Sequence, residues 1–247
     1  MPGVETMDEL SRAVGEFRTD GYVLPVEATA LDRARRSLEK AGLLLLGEIR
    51  GVRENPLVIQ WLMRELGLTN LALEWPHDLR PHLDRYLADG SGLDHPLWWL
   101  GDGRVTAGHL AVLRAFTGVS VTLFDGWTFT ADWSERDAAM ARRVLAAGAE
   151  PALVVAGNAH TPTVPTDLGV PMGAWLARAR PALESIRIDY GSGGFYNIEP
   201  RRFAGHSAAA GLREGEEDGL LVVGLPECGE ATVPHLPPDR LREHPDW

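Results

Sequence analysis

Leu43-Leu44-Leu45-Leu46-Gly47-Glu48 is the stretch that decides the fold, because a short, wholly apolar run stops there at a glycine and a glutamate. Such a run is typical of a strand that is buried on both faces of a parallel sheet. Similar runs recur along the chain, and segments with the apolar spacing of amphipathic helices separate them. Strands are predicted at 43–46, 71–74, 119–125, 152–158, 185–190 and 220–224, and helices at 7–18, 29–41, 56–66, 78–87, 107–116, 135–147 and 172–180.

This alternation predicts an α/β fold with a mostly parallel central sheet and helices on both faces. No linker or repeat divides the chain, so a single domain over residues 1–247 is expected. Gly42 is a natural stop for the helix before the first strand, and Ser134 is the expected cap of the helix over 135–147. The glycine-rich segment Gly191–Gly194 is interpreted as a turn.

The composition excludes several functional classes. The 247 residues carry 24 Lys+Arg and 35 Asp+Glu, a net charge of −11, which disfavours a nucleic-acid partner. No apolar stretch approaches the roughly 20 residues of a membrane helix, so no membrane association is expected. The acidic N-terminus does not look like a signal peptide, and Cys228 is the only cysteine, which rules out an internal disulfide. A cytoplasmic protein is therefore expected.

Polar residues end the predicted strands, and this is the strongest functional signal in the sequence. Glu48, Glu74 and Asp125 each close one apolar run, and Asn158 with His160 closes another. The carboxyl ends of parallel strands meet at one edge of a sheet, where ligands bind. A single polar residue at such a position often only marks where the chain leaves the core. Because the pattern occurs in all these strands, the sequence predicts a site at this rim.

Tryptophans lie close to the same strand ends. Trp75 follows Glu74 directly and Trp127 follows Asp125 by two residues, while Trp98, Trp99 and Trp133 lie in nearby connections. Such rings either form the wall of a pocket for a bulky, largely apolar small molecule or pack in the core under long loops. The sequence leaves both interpretations open.

Clustered carboxylates and an imidazole suit two kinds of chemistry. A carboxylate–histidine pair can act as a general base on water. Two glutamates and a histidine can instead hold a divalent metal such as Zn²⁺ or Mn²⁺. The motifs of serine hydrolases, zincins, dinucleotide-binding folds and P-loop kinases do not occur in the chain.

The ordered motifs resemble one known superfamily. Residues 44–51 (Leu-Leu-Leu-Gly-Glu-Ile-Arg-Gly), 71–74 (Leu-Ala-Leu-Glu) and 154–160 (Val-Val-Ala-Gly-Asn-Ala-His) resemble the erythromycin-esterase-like and ChaN-like proteins, to which Tiki/TraB-type proteins are related. Residues 171–176 (Pro-Met-Gly-Ala-Trp-Leu) look like the segment that follows Asn-x-His in the esterase branch. The resemblance covers about residues 43–190. It implies an α/β fold with a cleft at the strand carboxyl ends, where the esterase branch opens a macrolactone and the ChaN-like branch binds haem.

Carried over by position, the resemblance assigns the two motif glutamates to Glu48 and Glu74 and the late histidine to His160. The chain departs from the family at Arg50, where a histidine is usual, and a permanently charged guanidinium is neither a base nor a good metal ligand. Arg50 either binds an anionic group of the substrate or forms an ion pair with Glu48 and Glu74. Arg53 is a candidate for reinforcing such an anion subsite, and His77 is a reserve base.

The leading hypothesis is an enzyme that acts on a bulky, partly apolar small molecule by general acid–base chemistry. Glu74 and His160 are predicted to transfer protons, and Glu48 to orient water or substrate. Asp125, Asn158, Trp75 and Trp127 complete the predicted substrate contacts. Ester or lactone hydrolysis without a cofactor is the default reaction. Alternatives are a cyclase or lyase of natural-product biosynthesis, a haem-binding protein, and an inactive scaffold.

Overall fold

The computed structural model describes residues 3–126, 132–215, 220–237 and 239–240. Its strands are β1 (Gly3–Val4), β2 (Leu43–Glu48), β3 (Asn70–Pro76), β4 (Ser120–Asp125), β5 (Ala152–Gly157), β6 (Glu184–Asn197), β7 (Glu199–Arg202), β8 (Gly211–Glu214), β9 (Leu221–Cys228) and β10 (Val233–Pro234). Its helices are α1 (Met7–Glu16), α2 (Ala28–Ala41), α3 (Asn55–Glu65), α4 (Arg80–Asp89), α5 (Ala107–Ala115), α6 (Trp133–Ala147) and α7 (Met172–Ala179). Short 3-10 turns span His77–Leu79 and Pro96–Trp99.

An eight-stranded sheet in the order β4-β3-β5-β2-β6-β9-β8 confirms the predicted α/β class, with β7 paired to β6. The neighbours from β4 to β9 along this order are parallel, whereas β8 and β7 pair antiparallel with β9 and β6. The small strands β1 and β10 form a separate parallel pair. The carboxyl ends of β4, β3, β5 and β2 therefore lie side by side at one edge.

Strand β2 shows why the sheet needs helices on both faces. Leu44 and Leu46 pack into one core cluster, which includes side chains from α1, α2, α3 and α5. Leu43 and Leu45 pack into the other, which includes side chains from α6 and α7. Because successive strand side chains point to opposite faces, the four-leucine run fills both layers. None of the helices in the described ranges is long and apolar enough to span a membrane.

Two local predictions are wrong. Gly191–Gly194 forms no turn but continues β6, where a Cβ on Gly193 would lie 1.9 Å from the Cys228 carbonyl oxygen. These glycines allow backbones to approach closely inside the sheet. The cap of α6 is Asp132, whose carboxylate accepts from the backbone N–H groups of Ser134 and Glu135. The Ser134 hydroxyl instead accepts from the backbone N–H of Val170.

The turn after β2 requires glycine at one point. Gly51 has φ of 75°, and a Cβ there would lie 1.7 Å from the carbonyl oxygen of Tyr196 in β6. The Gly51 N–H donates to Gly103, and the Gly51 carbonyl accepts from Tyr196 and Ala231. This crossing fixes the backbone that carries Glu48 and Arg50 against three distant segments.

Candidate active site

Glu74, at the carboxyl end of β3, is the centre of a buried cluster of charged side chains. Its Oε1 accepts from the guanidiniums of Arg50 at 2.5 Å and Arg136 at 2.9 Å, and its Oε2 accepts from the Gly157 N–H at 2.8 Å. Burial alone would raise the pKa of Glu74, but Arg50, His160, Arg104 and Arg136 hold that pKa well below its usual range. Glu74 is therefore a fixed negative charge at neutral pH.

A second carboxylate joins the same cluster from the end of β4. Asp125 accepts from Arg104 at 2.7 Å and from Arg136 at 2.8 Å, and it is 1% exposed. Arg104 also donates to Asp102 at 2.6 Å. Arg136 thus bridges Glu74 and Asp125, so the ends of β3 and β4 share one guanidinium.

His160 and Asp137 form a buried hydrogen-bonded pair beside this cluster. His160 Nδ1 lies 2.8 Å from Oδ1 of Asp137, and His160 Nε2 lies 3.5 Å from Oε1 of Glu74. Asp137 also accepts from the backbone N–H of Met172 at 2.7 Å, which ties the pair to the start of α7. The Trp133 ring stacks on the imidazole with centroids 5.0 Å apart. An acidic partner on Nδ1 favours the tautomer that leaves Nε2 free to accept a proton.

Glu48, at the end of β2, lies in a different environment from that of Glu74. Burial, with a smaller contribution from the Glu74 carboxylate, raises the pKa of Glu48 to about 8 against the opposing effects of Arg50 and Asn55. Its Oε2 has no hydrogen-bond partner among the residues that the structure describes. The two glutamates thus differ in protonation at neutral pH, which is a common arrangement for acid–base catalysis.

Arg50 follows Glu48 by two residues and joins the cluster through its guanidinium. Its guanidinium contacts Glu74 and lies 3.8 Å from Asp102. Burial would lower the pKa of Arg50, but Glu74 and Asp102 raise it above its usual range. Of the two sequence-based interpretations, the ion pair with Glu74 is the contact present, while 22% of the side chain stays exposed.

The remaining residues that the sequence predicts as substrate contacts lie in different environments. The Asn158 side chain lies next to Gly47, and its Oδ1 is buried without a hydrogen-bond partner among the described residues. The backbone N–H of Asn158 donates to the Glu48 carbonyl. His77 is at the rim, where Nδ1 lies 2.9 Å from the Asp125 carbonyl. Arg53 is exposed and its N–H donates to Gly229, so it does not join the Arg50 cluster. Trp127 lies outside the described residues.

Three of the tryptophans belong to the core. Trp75 is 2% exposed, donates to the Arg104 carbonyl and packs edge-on against Trp98. Trp98 and Trp99 are also buried, with their indole N–H groups bound to the carbonyls of Gly92 and Leu93. The core interpretation therefore fits these rings, and the prediction that Trp75 contacts substrate does not agree with its burial. Trp133 differs because it covers His160.

Three charged residues of the cluster were not predicted from the sequence. They are Asp137 and Arg136 on α6 and Arg104 in the irregular segment before α5. Asp137 did carry a signal, because it shares the buried helical stripe with Met140, Ala141 and Val144. A charged residue on an otherwise apolar stripe requires a buried partner, and here that partner is His160. Arg104 and Arg136 have no comparable signal, since arginine is common on exposed surfaces.

The carboxylates and the imidazole of the cluster are engaged with other groups, which does not suit a metal ion. Both oxygens of Glu74 already accept from guanidinium or backbone donors, and Asp125 is saturated in the same way. Nδ1 of His160 is bound to Asp137, and Nε2 faces Glu74. Among the residues that the structure describes, no group of three or more His, Cys, Asp or Glu side chains is arranged to hold a metal.

Comparisons with known proteins find similarity to solved structures and not to a sequence family. No family model matches the chain, and no curated protein sequence matches it. A crystal structure of a protein from Bacillus cereus matches with a TM-score of 0.54 at 11% identity, over 93% of this chain and 100% of that one. The type III effector HopBA1 matches with a TM-score of 0.48 at 19% identity, over 86% of this chain and 98% of that one. The identity to the Bacillus cereus protein is so low that this match describes a shared fold alone, and the resemblance to erythromycin-esterase-like proteins stays a prediction.

Proposed function

We propose that the protein is an enzyme that hydrolyses an ester or lactone bond of a small, partly apolar molecule by acid–base chemistry. The observation that carries the proposal is the buried Asp137–His160 pair, whose Nε2 faces the arginine-bound Glu74. An imidazole that a buried carboxylate orients is positioned to act as a general base.

The expected nucleophile is water. Cys228 is buried with its Sγ 3.7 Å from the Leu225 carbonyl, and burial raises its pKa to about 12, which makes it a poor nucleophile. His160 Nε2 takes a proton from the water as its oxygen attacks the carbonyl carbon. The C–O bond of the ester then breaks, and the imidazolium returns the proton to the departing alkoxide.

The arginines have a separate role in this proposal. Arg50 and Arg136 keep 22% and 24% of their side chains exposed, so each can face a substrate oxygen. Their charges would stabilise the oxyanion that forms on the attacked carbonyl. Because Glu74 carries a fixed charge, we assign it to orienting these guanidiniums and assign proton transfer to His160 and Glu48.

Exposed apolar side chains in the segment that follows His160 support a partly apolar substrate. Val164 and Leu168 are 64% and 66% exposed in the segment between β5 and α7. That segment packs against the start of α6, where the Val170 N–H binds the Ser134 hydroxyl. Trp133, one residue earlier, covers His160. Apolar groups in this position would contact the non-reacting part of a ligand.

The test is mass-spectrometric turnover of a panel of macrolactones and simple esters. We expect a product heavier by one water, and a loss of roughly 10³-fold or more in kcat for His160→Gln and Asp137→Asn. Asp189→Asn is the matched control, because Asp189 pairs with the exposed His206 at 2.7 Å outside the cluster. A panel that yields no hydrolysis product, or an Asp137→Asn variant as active as Asp189→Asn, would contradict the proposal.

A further inference from the structure

A small cavity lies among the residues of the charged cluster. Its volume is about 10 Å³, and its lining includes Glu48, Arg50, Glu74, Arg104 and His109. A space of this size corresponds to about one water molecule. A water is retained in such a space only where polar groups are available to bind it.

Two buried polar atoms without partners belong to residues that line this cavity. Within the part of the chain that the structure describes, Glu48 Oε2 and His109 Nε2 have no hydrogen-bond partner, and the two residues are 6% and 3% exposed. Buried polar atoms are normally hydrogen-bonded to protein or to ordered water, so two such atoms on residues that line one cavity are suited to bind the same water molecule.

The hydrogen-bonding roles of the two groups are complementary. Thr106 Oγ1 lies 2.9 Å from His109 Nδ1 and also accepts from the His109 backbone N–H. With the ring hydrogen on Nδ1, donated to Thr106, Nε2 is an acceptor. Burial lowers the pKa of His109 to about 4, which keeps the ring neutral, and burial raises the pKa of Glu48 to about 8, which keeps its carboxyl protonated.

We propose that the cavity binds one water molecule that accepts the carboxyl hydrogen of Glu48 and donates to Nε2 of His109. The other charged groups facing the cavity are Arg50, Glu74 and Arg104, and their guanidiniums are bound to carboxylates. The water therefore links an acid at the sheet edge to a neutral imidazole on α5. This makes His109 a positioning residue for the Glu48 proton, and the inference does not depend on the reaction proposed above.

The first test is a crystal structure of the full chain at a resolution that reveals ordered water. We expect one water within hydrogen-bond distance of both Glu48 Oε2 and His109 Nε2. A structure in which no water contacts both atoms overturns the proposal, and this result needs no variant.

The second test is infrared spectroscopy of the Glu48 carboxyl at neutral pH. The band of the protonated carboxyl should vanish in Glu48→Gln. In His109→Phe it should shift to higher wavenumber, because the water that binds the carboxyl then has no Nε2 to donate to. His235→Phe is the control, since His235 binds the Tyr196 hydroxyl instead. A band at the same position in wild type and in His109→Phe overturns the proposal, as does a shift of the same size in the control.

Discussion

Glu48 keeps its proton in the folded protein over a pH range in which the unfolded chain loses it. Burial raises its pKa from the ordinary 4.5 to about 8. A group whose pKa is raised on folding stabilises the fold fully below the unfolded value, and this contribution is lost as pH rises through the folded value. Between pH 5 and 8, deprotonation of Glu48 in the unfolded state therefore increasingly favours unfolding.

Glu48→Gln should remove this pH dependence. Relative to wild type, the unfolding free energy of the variant should increase with pH by up to about 1.4 kcal/mol per unit between pH 5 and 8. Urea denaturation at several pH values measures the difference. Glu227→Gln, at an exposed position of β9, should give a flat difference. A flat difference for Glu48→Gln as well would mean that Glu48 is ionised in the folded protein.

Arg50 and Arg53 give a matched comparison three residues apart. Arg50→Gln removes a cation from the buried Glu74 carboxylate, which keeps Arg136 and the Gly157 N–H as donors. We expect a loss of about 3 kcal/mol in unfolding free energy, because an incompletely paired buried charge is costly. Arg53→Gln changes an exposed side chain and should cost less than about 0.5 kcal/mol. Equal effects in chemical denaturation would show that the Arg50–Glu74 pair adds little to stability.

At the scale of elements, the turn after β2 is the most constrained connection near the site. Gly51 and Gly21 have the same φ of 75°, but only Gly51 meets another backbone where a Cβ would lie. Gly21→Ala should cost about 1 kcal/mol for the backbone conformation alone. Gly51→Ala should cost more than about 3 kcal/mol, because the Tyr196 carbonyl or the turn must move.

Thermal and urea unfolding of the two glycine variants measure this difference. The Gly51→Ala variant should also lose the close contact between the turn and β6, which would displace Arg50 from Glu74. If both variants lose the same stability, the crossing with Tyr196 adjusts at little cost, and the constraint assigned to this turn is wrong.

The same elements show how far the sequence predicts the site. The parallel order of strands is enough to bring Glu48, Glu74, Asp125 and His160 to one edge, because the fold class determines where strand ends meet. The partners of these residues come from α6 and from the segment before α5. Their positions depend on how helices pack across the sheet, and apolar spacing does not determine that packing.

Glycine and tryptophan account for the other differences. The sequence predicts a turn at Gly191–Gly194, but the close approach of β6 to the Cys228 backbone uses the same residues within a strand. The sequence predicts Trp75 beside a ligand, but its indole N–H donates to the Arg104 carbonyl in the core. In both cases a residue type suits two environments, and only tertiary contacts distinguish them.

On the scale of the whole molecule, the site depends on the sheet order. Strand β5 lies between β3 and β2, so Glu74 and Glu48 approach each other across β5 and not across a direct strand pair. Gly157 at the end of β5 donates to Glu74, and His160 three residues later faces it. Strand β5 and the residues directly after it thus contribute both a backbone donor and the imidazole.

That order has a consequence for the protein while it is being synthesised. Of the strands of the large sheet, β2, β3 and β4 leave the ribosome before β5, and of these only β3 and β4 are neighbours in the finished sheet. The four leucines of β2 gain their first parallel partner when residues 152–157 emerge. Residues 152–160 also supply the Gly157 N–H and the His160 imidazole that face Glu74, so the cluster is complete only after this segment has been synthesised. Since domains generally fold as units, we expect the site to form together with the central sheet.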